Sequence, residues 1–277
     1  MSGSTRGEHA AGGGHVAEFF DAGHEQFQAL SSALWDPIGR ASVAVARPAV
    51  GQRVLDACCG AGASAVPTAQ AVGHAGAVDA VDLADRLLEE GRAAATEAGL
   101  GWIRFVRDDV TRFGEAASYD VVQCVLGVFL LPDMDAGTAH LIRLARPGGR
   151  VVVTTWAEGA IEPIRAAVGE VLPEERPELR ESLSRPPPAD RIQTPEALSS
   201  WLAGLGLAEV AVVRAPLRIP FDEGVVSSLF GGTALSGLVA GLDPERRSQV
   251  VSRIAQAALR RGRELDATTL IASGTAP

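Results

Sequence analysis

The 277 residues predict an α/β fold: a doubly wound, mostly parallel sheet of seven strands, with an N-terminal helical cover and C-terminal helical inserts. Three observations carry that expectation. Between Arg53 and Trp156, short apolar runs that suit buried strands alternate with stretches of helical periodicity, joined by short connections. Such alternation means parallel strands linked by right-handed crossovers. Two further apolar runs, residues 207–215 and 266–274, bring the strands to seven. The composition, 47% hydrophobic and 21% charged, is that of a chain with a sizeable core.

The elements follow in order. Residues 1–14 are rich in Gly, Ala and Ser and predict a disordered tail. Val16, Phe19, Phe20, Phe27, Leu30 and Leu34 recur at helical spacing, so residues 15–48 predict a helical cover, with a second short helix from Ile38 to Ala46. The first strand is "RVLDAC", and the helix "SAVPTAQAV" tolerates Pro67 in its first turn. "GAVDAVDL" is the second strand. The next helix lines Leu87, Leu88, Gly91, Ala94, Ala95 and Ala98 along one face and stops at Gly99. "IRFVRDD" and "YDVVQCVLGV" are strands three and four. A helix, "MDAGTAHLIRLA", and the turn "RPGG" lead into strand five, "GRVVVTTW". Thr194–Pro195 and Asp243–Pro244 each read as a cap followed by a first helical residue. One domain therefore spans 49–277, with lid inserts at about 157–191 and 216–262.

Composition removes several chemistries. All 25 basic residues are arginine, so Schiff-base catalysis, pyridoxal phosphate attachment and a P-loop are excluded. A net charge of −9 argues against a nucleic-acid partner. The three cysteines, Cys58, Cys59 and Cys124, form no CxxC pair and no metal-ligand spacing, which fits a reducing cytoplasm without a bound metal. No apolar stretch is long enough to predict membrane insertion.

The stretch "VLDACCGAG" ends a strand on Asp56 and continues into a small-residue loop. Ligands of open α/β sheets sit at the carboxyl ends of the strands. There Gly60 and Gly62 let backbone approach a ligand closely. Taken alone, "GAGASA" with Asp82 about twenty residues on also matches a dinucleotide fingerprint. Asp56 argues otherwise, because a carboxylate there repels a pyrophosphate and suits a cation. Asp82 and Asp109 extend it into a row of acids ending strands one to three, which matches a cationic, adenosine-bearing ligand.

Together "VLDACCGAGAS", "AVDL", "FVRDDV", "YDVVQCVLGVFLLPD" and "LARPGGR" resemble the ordered motifs of class I S-adenosylmethionine-dependent methyltransferases. The similarity is to the ubiquinone/menaquinone-methyltransferase-like small-molecule group, over roughly residues 50–156. It implies the Rossmann-like methyltransferase fold and S-adenosyl-L-methionine as cofactor. It also implies roles. Gly60, Gly62 and the backbone around Cys58 pack on the methionine part, with Asp56 near its amino group. Asp82 accepts both ribose hydroxyls, and Leu83 lies on the adenine. Asp109 takes the adenine amino group beside the Val110 backbone, and Cys124 supplies a carbonyl near the methionine. The family usually has glycine where this chain has Cys58.

Around that core, Asp109 is preferred over its neighbour Asp108, and the cysteines read as packing residues rather than nucleophiles. Phe19, Phe20 and Phe27 read equally as packing or as a lid. Trp35 and Phe129 are candidates for an acceptor pocket. Of five histidines, His24, beside Glu25, is the candidate base, although methyl transfer relies chiefly on proximity and needs no fixed base. The expected activity is methyl transfer to an O, N or C atom of a small, fairly apolar acceptor, as in secondary metabolism, by a monomer or homodimer. A cyclase or binding protein using the cofactor without transfer is the first rival, and an NAD-dependent oxidoreductase the second.

Overall fold

The computed structural model describes residues 9–277. The chain opens with α1 (His9–Ala22), α2 (His24–Ala29), a π turn at Ser31–Trp35 and α3 (Asp36–Ala46). The alternating region is β1 (Arg53–Ala57), α4 (Ala65–Val72), β2 (Ala77–Asp82), α5 (Asp85–Glu97), β3 (Ile103–Arg107), β4 (Tyr119–Val125), α6 (Met134–Leu144) and β5 (Ala145–Trp156). Then come α7 (Glu162–Glu175), α8 (Arg180–Leu183), α9 (Pro195–Gly204) and β6 (Ala208–Ala215). The end comprises β7 (Arg218–Pro220), α10 (Glu223–Gly232), α11 (Pro244–Leu259), β8 (Glu264–Asp266) and β9 (Thr269–Thr275).

The seven-stranded sheet has the order β3-β2-β1-β4-β5-β9-β6. The first five strands run parallel, and β9 lies antiparallel between β5 and β6. A dinucleotide fold continues its sequence outward as 3-2-1-4-5-6, so the inserted antiparallel strand sets this sheet apart from an NAD-binding one. Sequence period also missed a second feature. Strands β7 and β8 pair as a separate two-stranded ribbon that closes the ends of the insert carrying α10 and α11. Three residues each are too few for an alternation to show.

Both faces of the sheet are covered, which is why its parallel strands are apolar throughout. Period two sends Leu55 and Ala57 of β1 toward the core under α6 and α9, and Val54 to the opposite core with Val72 and Leu88. A third core joins Leu34 and Ile38 of the cover to Leu172, Phe230 and Ile254 of the inserts. Each such fully buried side chain contributes about 1.5–3 kcal/mol. Helices α7 and α11 are laced by ion pairs: Glu175 holds Arg246 and Arg253, and Glu170 takes Arg260 at 2.6 Å and Arg261 at 2.8 Å.

The predicted tail ends early. Residues 1–8 lie outside the described residues, but 9–14 already belong to α1. Extending a nucleated helix costs little, since each added residue gains a bond. The cover is tied down at several points. Ser42 Oγ and Thr154 Oγ1 share a hydrogen bond of 2.8 Å. A Cβ on Gly23 would fall 1.8 Å from the Gly231 carbonyl oxygen, so α10 meets the α1–α2 junction backbone to backbone.

Candidate active site

One cavity of about 1090 Å³ opens at the carboxyl ends of β1–β5. It begins at Cys58, Cys59 and Gly60, passes Asp82, Leu83 and the Asp108–Val110 segment, and continues beneath the cover to Phe129 and Trp156. That volume exceeds what one drug-sized ligand needs, so it has room for two.

The floor is built by the β1–α4 loop. Gly62 adopts φ +88° and closes the turn, its N–H bonded to the Cys59 carbonyl at 2.9 Å. It is buried beneath the loop and does not line the cavity. Gly60, at φ +52°, is the residue that faces it, and a Cβ there would stand 3.5 Å from the Phe27 ring. Asp82 is fixed by this loop: Oδ2 accepts from the Gly60 N–H at 2.8 Å and Oδ1 from the Ala84 N–H at 2.9 Å. Burial pushes its carboxyl up from the ordinary range, against those backbone donors. Each oxygen keeps a lone pair for a diol.

Asp109 also lines the cavity. Thr111 donates to its Oδ1 from N–H at 2.9 Å and from Oγ1 at 2.7 Å, while Arg112 Nε reaches Oδ2 at 3.2 Å. Burial would raise this carboxyl, but these donors outweigh it and hold it below the ordinary range. Asp108, whose Oδ1 caps the Asp109 N–H at 2.7 Å, lines the same wall.

Cys58 sits at φ +57°, the left-handed region that favours glycine. Its side chain fits because Gly127 leaves room: a Cβ there would lie 2.6 Å from Cys58 Cβ and 2.8 Å from Cys124 Sγ. The hydrogen bond with Cys124 and burial both push the Cys58 thiol up, so it stays protonated and packs. Cys124 itself is buried and lies behind the wall, whose surface is Val125, Leu126 and Gly127.

Besides Gly62, three expectations are corrected. Asp56 does not line the cavity. Period two turns it to the Val54 face, where it is wholly buried and accepts from Ser64 Oγ at 2.7 Å. Its Oδ1 and Gln123 Oε1 both lack a donor, and the two residues are register partners on β1 and β4. A proton on Asp56 satisfies both oxygens at once. Burial pushes this carboxyl up to about 7, with Asp82 adding to the rise and the bond from Ser64 opposing it. The row of acids is thus two carboxylates on the cavity and one buried acid that carries a proton below about pH 7.

His24 is also displaced. Its Nδ1 is buried and faces Glu90 Oε1 of α5 at 3.5 Å, and the residue does not line the cavity. The direction of a six-residue helix decides this, and spacing alone does not reveal it. Cys124, as described, is the third.

Phe20, Phe27, Trp35 and Phe129 do line the cavity. Phe27 and Trp35 stack with centroids 4.9 Å apart, and Trp35 Nε1 donates to the Phe27 carbonyl at 2.9 Å. The π turn at 31–35 brings Trp35 under Phe27. Phe19 instead packs by Gly237, where a Cβ would lie 3.1 Å from its ring. Residues without a sequence signal complete the walls. His140 Nε2 bonds the Phe113 carbonyl at 2.9 Å, and since a carbonyl only accepts, that nitrogen carries the proton. Arg165, Asp190 and Gln193 stand on the side of β5, joined there by Trp156 and Ile161.

The residues fit an adenosine-and-amino-acid cofactor, as the Gly60 approach and the open carboxylate of Asp82 indicate. Comparison with known proteins agrees. Residues 29–172 match the model of the ubiE/COQ5 methyltransferase family. Aklanonic acid methyltransferase DauC of Streptomyces sp. (strain C5) is 36% identical over 50% of this chain and 64% of its own length, so the match spans under two thirds of that relative. Nocamycin O-methyltransferase of Saccharothrix syringae is 29% identical over 82% of this chain and 85% of its own. Among solved structures, the cyclase SpnF superposes with a TM-score of 0.59 at 16% identity, over 95% of this chain and 96% of that one. That last likeness shows the shared fold. With a matched family model over more than half its length, the chain belongs to the ubiE/COQ5 methyltransferase family, whose cofactor is S-adenosylmethionine.

Proposed function

We propose that the chain methylates a large, predominantly apolar small molecule of the kind made in secondary metabolism. One observation carries the reading: the cavity that begins at Asp82 and the Gly60 loop runs without a break into a chamber walled by Phe20, Phe27, Trp35, Phe129 and Trp156. Cofactor and acceptor would therefore share one enclosure. S-adenosylmethionine supplies the electrophilic methyl on its sulfonium. Asp82, locked by Gly60 and Ala84, binds the two ribose hydroxyls. Leu83 and Val110 flank the adenine, and Asp109 or Asp108 accepts from its amino group. Cys58 and Gly60 lie along the methionine end.

The chain then works by holding and drying. The aromatic cover excludes water and aligns the acceptor atom, which is the main source of rate in such a displacement. Inserts 157–191 and 216–262 act as lids, each lining the chamber. On the acceptor side Asp190 lines the cavity but is engaged by Arg165, so it is not a free base, and transfer to an acidic or nucleophilic acceptor atom needs none. The partner is a free small molecule rather than nucleic acid, and the protein works in the cytoplasm as a monomer or homodimer. Among the described residues no helix is long and apolar enough to cross a membrane.

The test is incubation with methyl-labelled S-adenosylmethionine and aklanonic acid, the compound in the name of one relative. Label in an acceptor, with S-adenosylhomocysteine formed in equal amount, supports the reading. Tight cofactor binding and acceptor turnover without label would instead favour a cyclase-like use of the fold.

A further inference from the structure

We propose that Cys58 and Cys124 form a modification site: oxidised glutathione, or another small disulfide, links them to each other, and the linked protein binds S-adenosyl compounds less tightly. The link itself assumes nothing about activity. Its effect on binding rests on the methyltransferase reading and deepens it.

Placement brings the two sulfurs together. Ala57 is the register partner of Cys124 across β1 and β4, and register partners share a face of the sheet. Simple alternation would send the next residue, Cys58, to the other face. Its φ of +57° undoes that alternation. Cys58 packs against the same core as Cys124, while Cys59 goes to the opposite one. Neighbouring strands lie about 4.8 Å apart and a residue advances about 3.3 Å, so the two α-carbons stand about 6 Å from each other. Disulfides span about 4.4–6.8 Å between α-carbons. Side-chain direction agrees. A Cβ on Gly127 would lie 2.9 Å from Cys58 Sγ and 2.8 Å from Cys124 Sγ, so both sulfurs border one small space that residue 127 leaves open.

Access sets the order of events. Cys58 lines the cavity, whereas Cys124 is buried behind its wall. The Cys58 thiolate attacks one sulfur of oxidised glutathione and releases one glutathione thiolate, which takes up the proton. The Cys124 sulfur then gives up its own proton and attacks Cys58 Sγ, releasing the second glutathione. Two protein S–H bonds and one glutathione disulfide thus become one protein disulfide and two glutathione thiols. Cys124 and burial hold the Cys58 thiol well above its ordinary range, so attack is slow and the redox poise, more than speed, decides the outcome.

A disulfide holds its sulfurs at about 2.05 Å, so the link draws the β1–α4 loop toward the end of β4. Two residues on, the Gly60 N–H donates to Asp82 Oδ2 at 2.8 Å, and Val125, Leu126 and Gly127 form the adjoining wall. Both margins of the methionine end therefore shift when the link forms.

Thiol counting and cofactor titration test this together. In oxidised glutathione the free thiols should fall from three to one, and a peptide map should join the segment holding Cys58 to that holding Cys124. Cys59→Ala should still form the link, Cys58→Ala should not, and Cys124→Ala should stop at a glutathione adduct on Cys58. By calorimetry the linked protein should bind S-adenosylhomocysteine about ten-fold more weakly, the scale of one charge-assisted hydrogen bond, and dithiothreitol should restore it. By reciprocity, S-adenosylhomocysteine saturating both forms should make the pair easier to reduce by about 30 mV. Thiols that only pack predict none of these changes.

Three free thiols retained in oxidised glutathione overturn the proposal. So does a parent protein that stops at an adduct or links through Cys59, or a linked protein of unchanged affinity. Should a cysteine variant not fold, fragmentation of the joined peptide from the parent tells Cys58 from Cys59, and dithiothreitol reversal completes the test. Failure of the reduced parent to bind S-adenosylhomocysteine overturns the methyltransferase reading, and with it the effect on binding, while the thiol count still decides the link.

Discussion

Cys58 occupies the space that a side chain at residue 127 would need, for a Cβ on Gly127 would fall 2.6 Å from Cys58 Cβ and 2.9 Å from its Sγ. The loop thus keeps a side chain in a left-handed position because the segment after β4 has none at residue 127. Gly127→Ala should destabilise the protein by about 1–3 kcal/mol through overpacking. Cys58→Gly should be near neutral, trading lost packing against relief of the positive φ. The double variant should recover part of the Gly127→Ala loss, since the contact with Cys124 Sγ at 2.8 Å remains. Urea unfolding measures the cycle, and strict additivity of the two changes would refute the coupling.

Asp82 spends one lone pair of each oxygen on the loop and offers the others to the cavity. Asp82→Ala should weaken S-adenosylhomocysteine binding by about ten- to a hundred-fold, roughly 1.5–3 kcal/mol for charge-assisted bonds. Isothermal titration calorimetry reads this directly. Equal affinity in both proteins would remove Asp82 from the ribose site.

The buried acid gives a pH signature. Asp56 titrates at about 7 in the fold and near 3.8 when unfolded, so the folded state holds the extra proton between those values. Stability from this group is therefore full below about pH 4 and is lost as pH rises through 7. At about 1.4 kcal/mol per unit, the ceiling on that loss is about 4 kcal/mol. Asp56→Asn, which can still bond both Ser64 and Gln123, should flatten the slope between pH 4 and 7. Denaturant midpoints across that range check it, and an unaltered slope would mean the proton sits elsewhere.

Gly23 allows the cover to touch α10, and any side chain there must push the two backbones apart. Gly23→Ala should loosen α1 and α2 without unfolding the sheet. Hydrogen exchange over residues 9–30 should speed up at least ten-fold, with the β1–β5 amides unaffected. Uniform acceleration across the chain would show instead that the cover is part of one cooperative unit.

Much of this was legible in the sequence. The strands could be read because parallel strands buried on both faces write continuous apolar runs. The acids at the strand ends could be read because the loop after each such strand must face the ligand side. What escaped was direction. Asp56 belongs to the Val54 face by simple alternation, yet its place at the strand end suggested the ligand. His24 depended on the rotation of a short helix, which six residues do not define. The Arg165–Asp190 fork crosses a proline-rich stretch without periodicity, and only tertiary placement brings its halves together. Cys58 was legible as an oddity, but the glycine that accommodates it lies 69 positions further on.

The contact between Gly23 and Gly231 joins parts of the chain more than two hundred residues apart, and that separation governs when the enclosure can form. As the polypeptide leaves the ribosome, the strands through β5 can pair while the cover still has nothing to rest upon. Every residue assigned to the cofactor lies before position 130, so that half is complete early. The acceptor chamber waits for α10. In that order of folding, the loop and acids proposed for the methyl donor would take shape before there is any place to put the molecule that receives the methyl group.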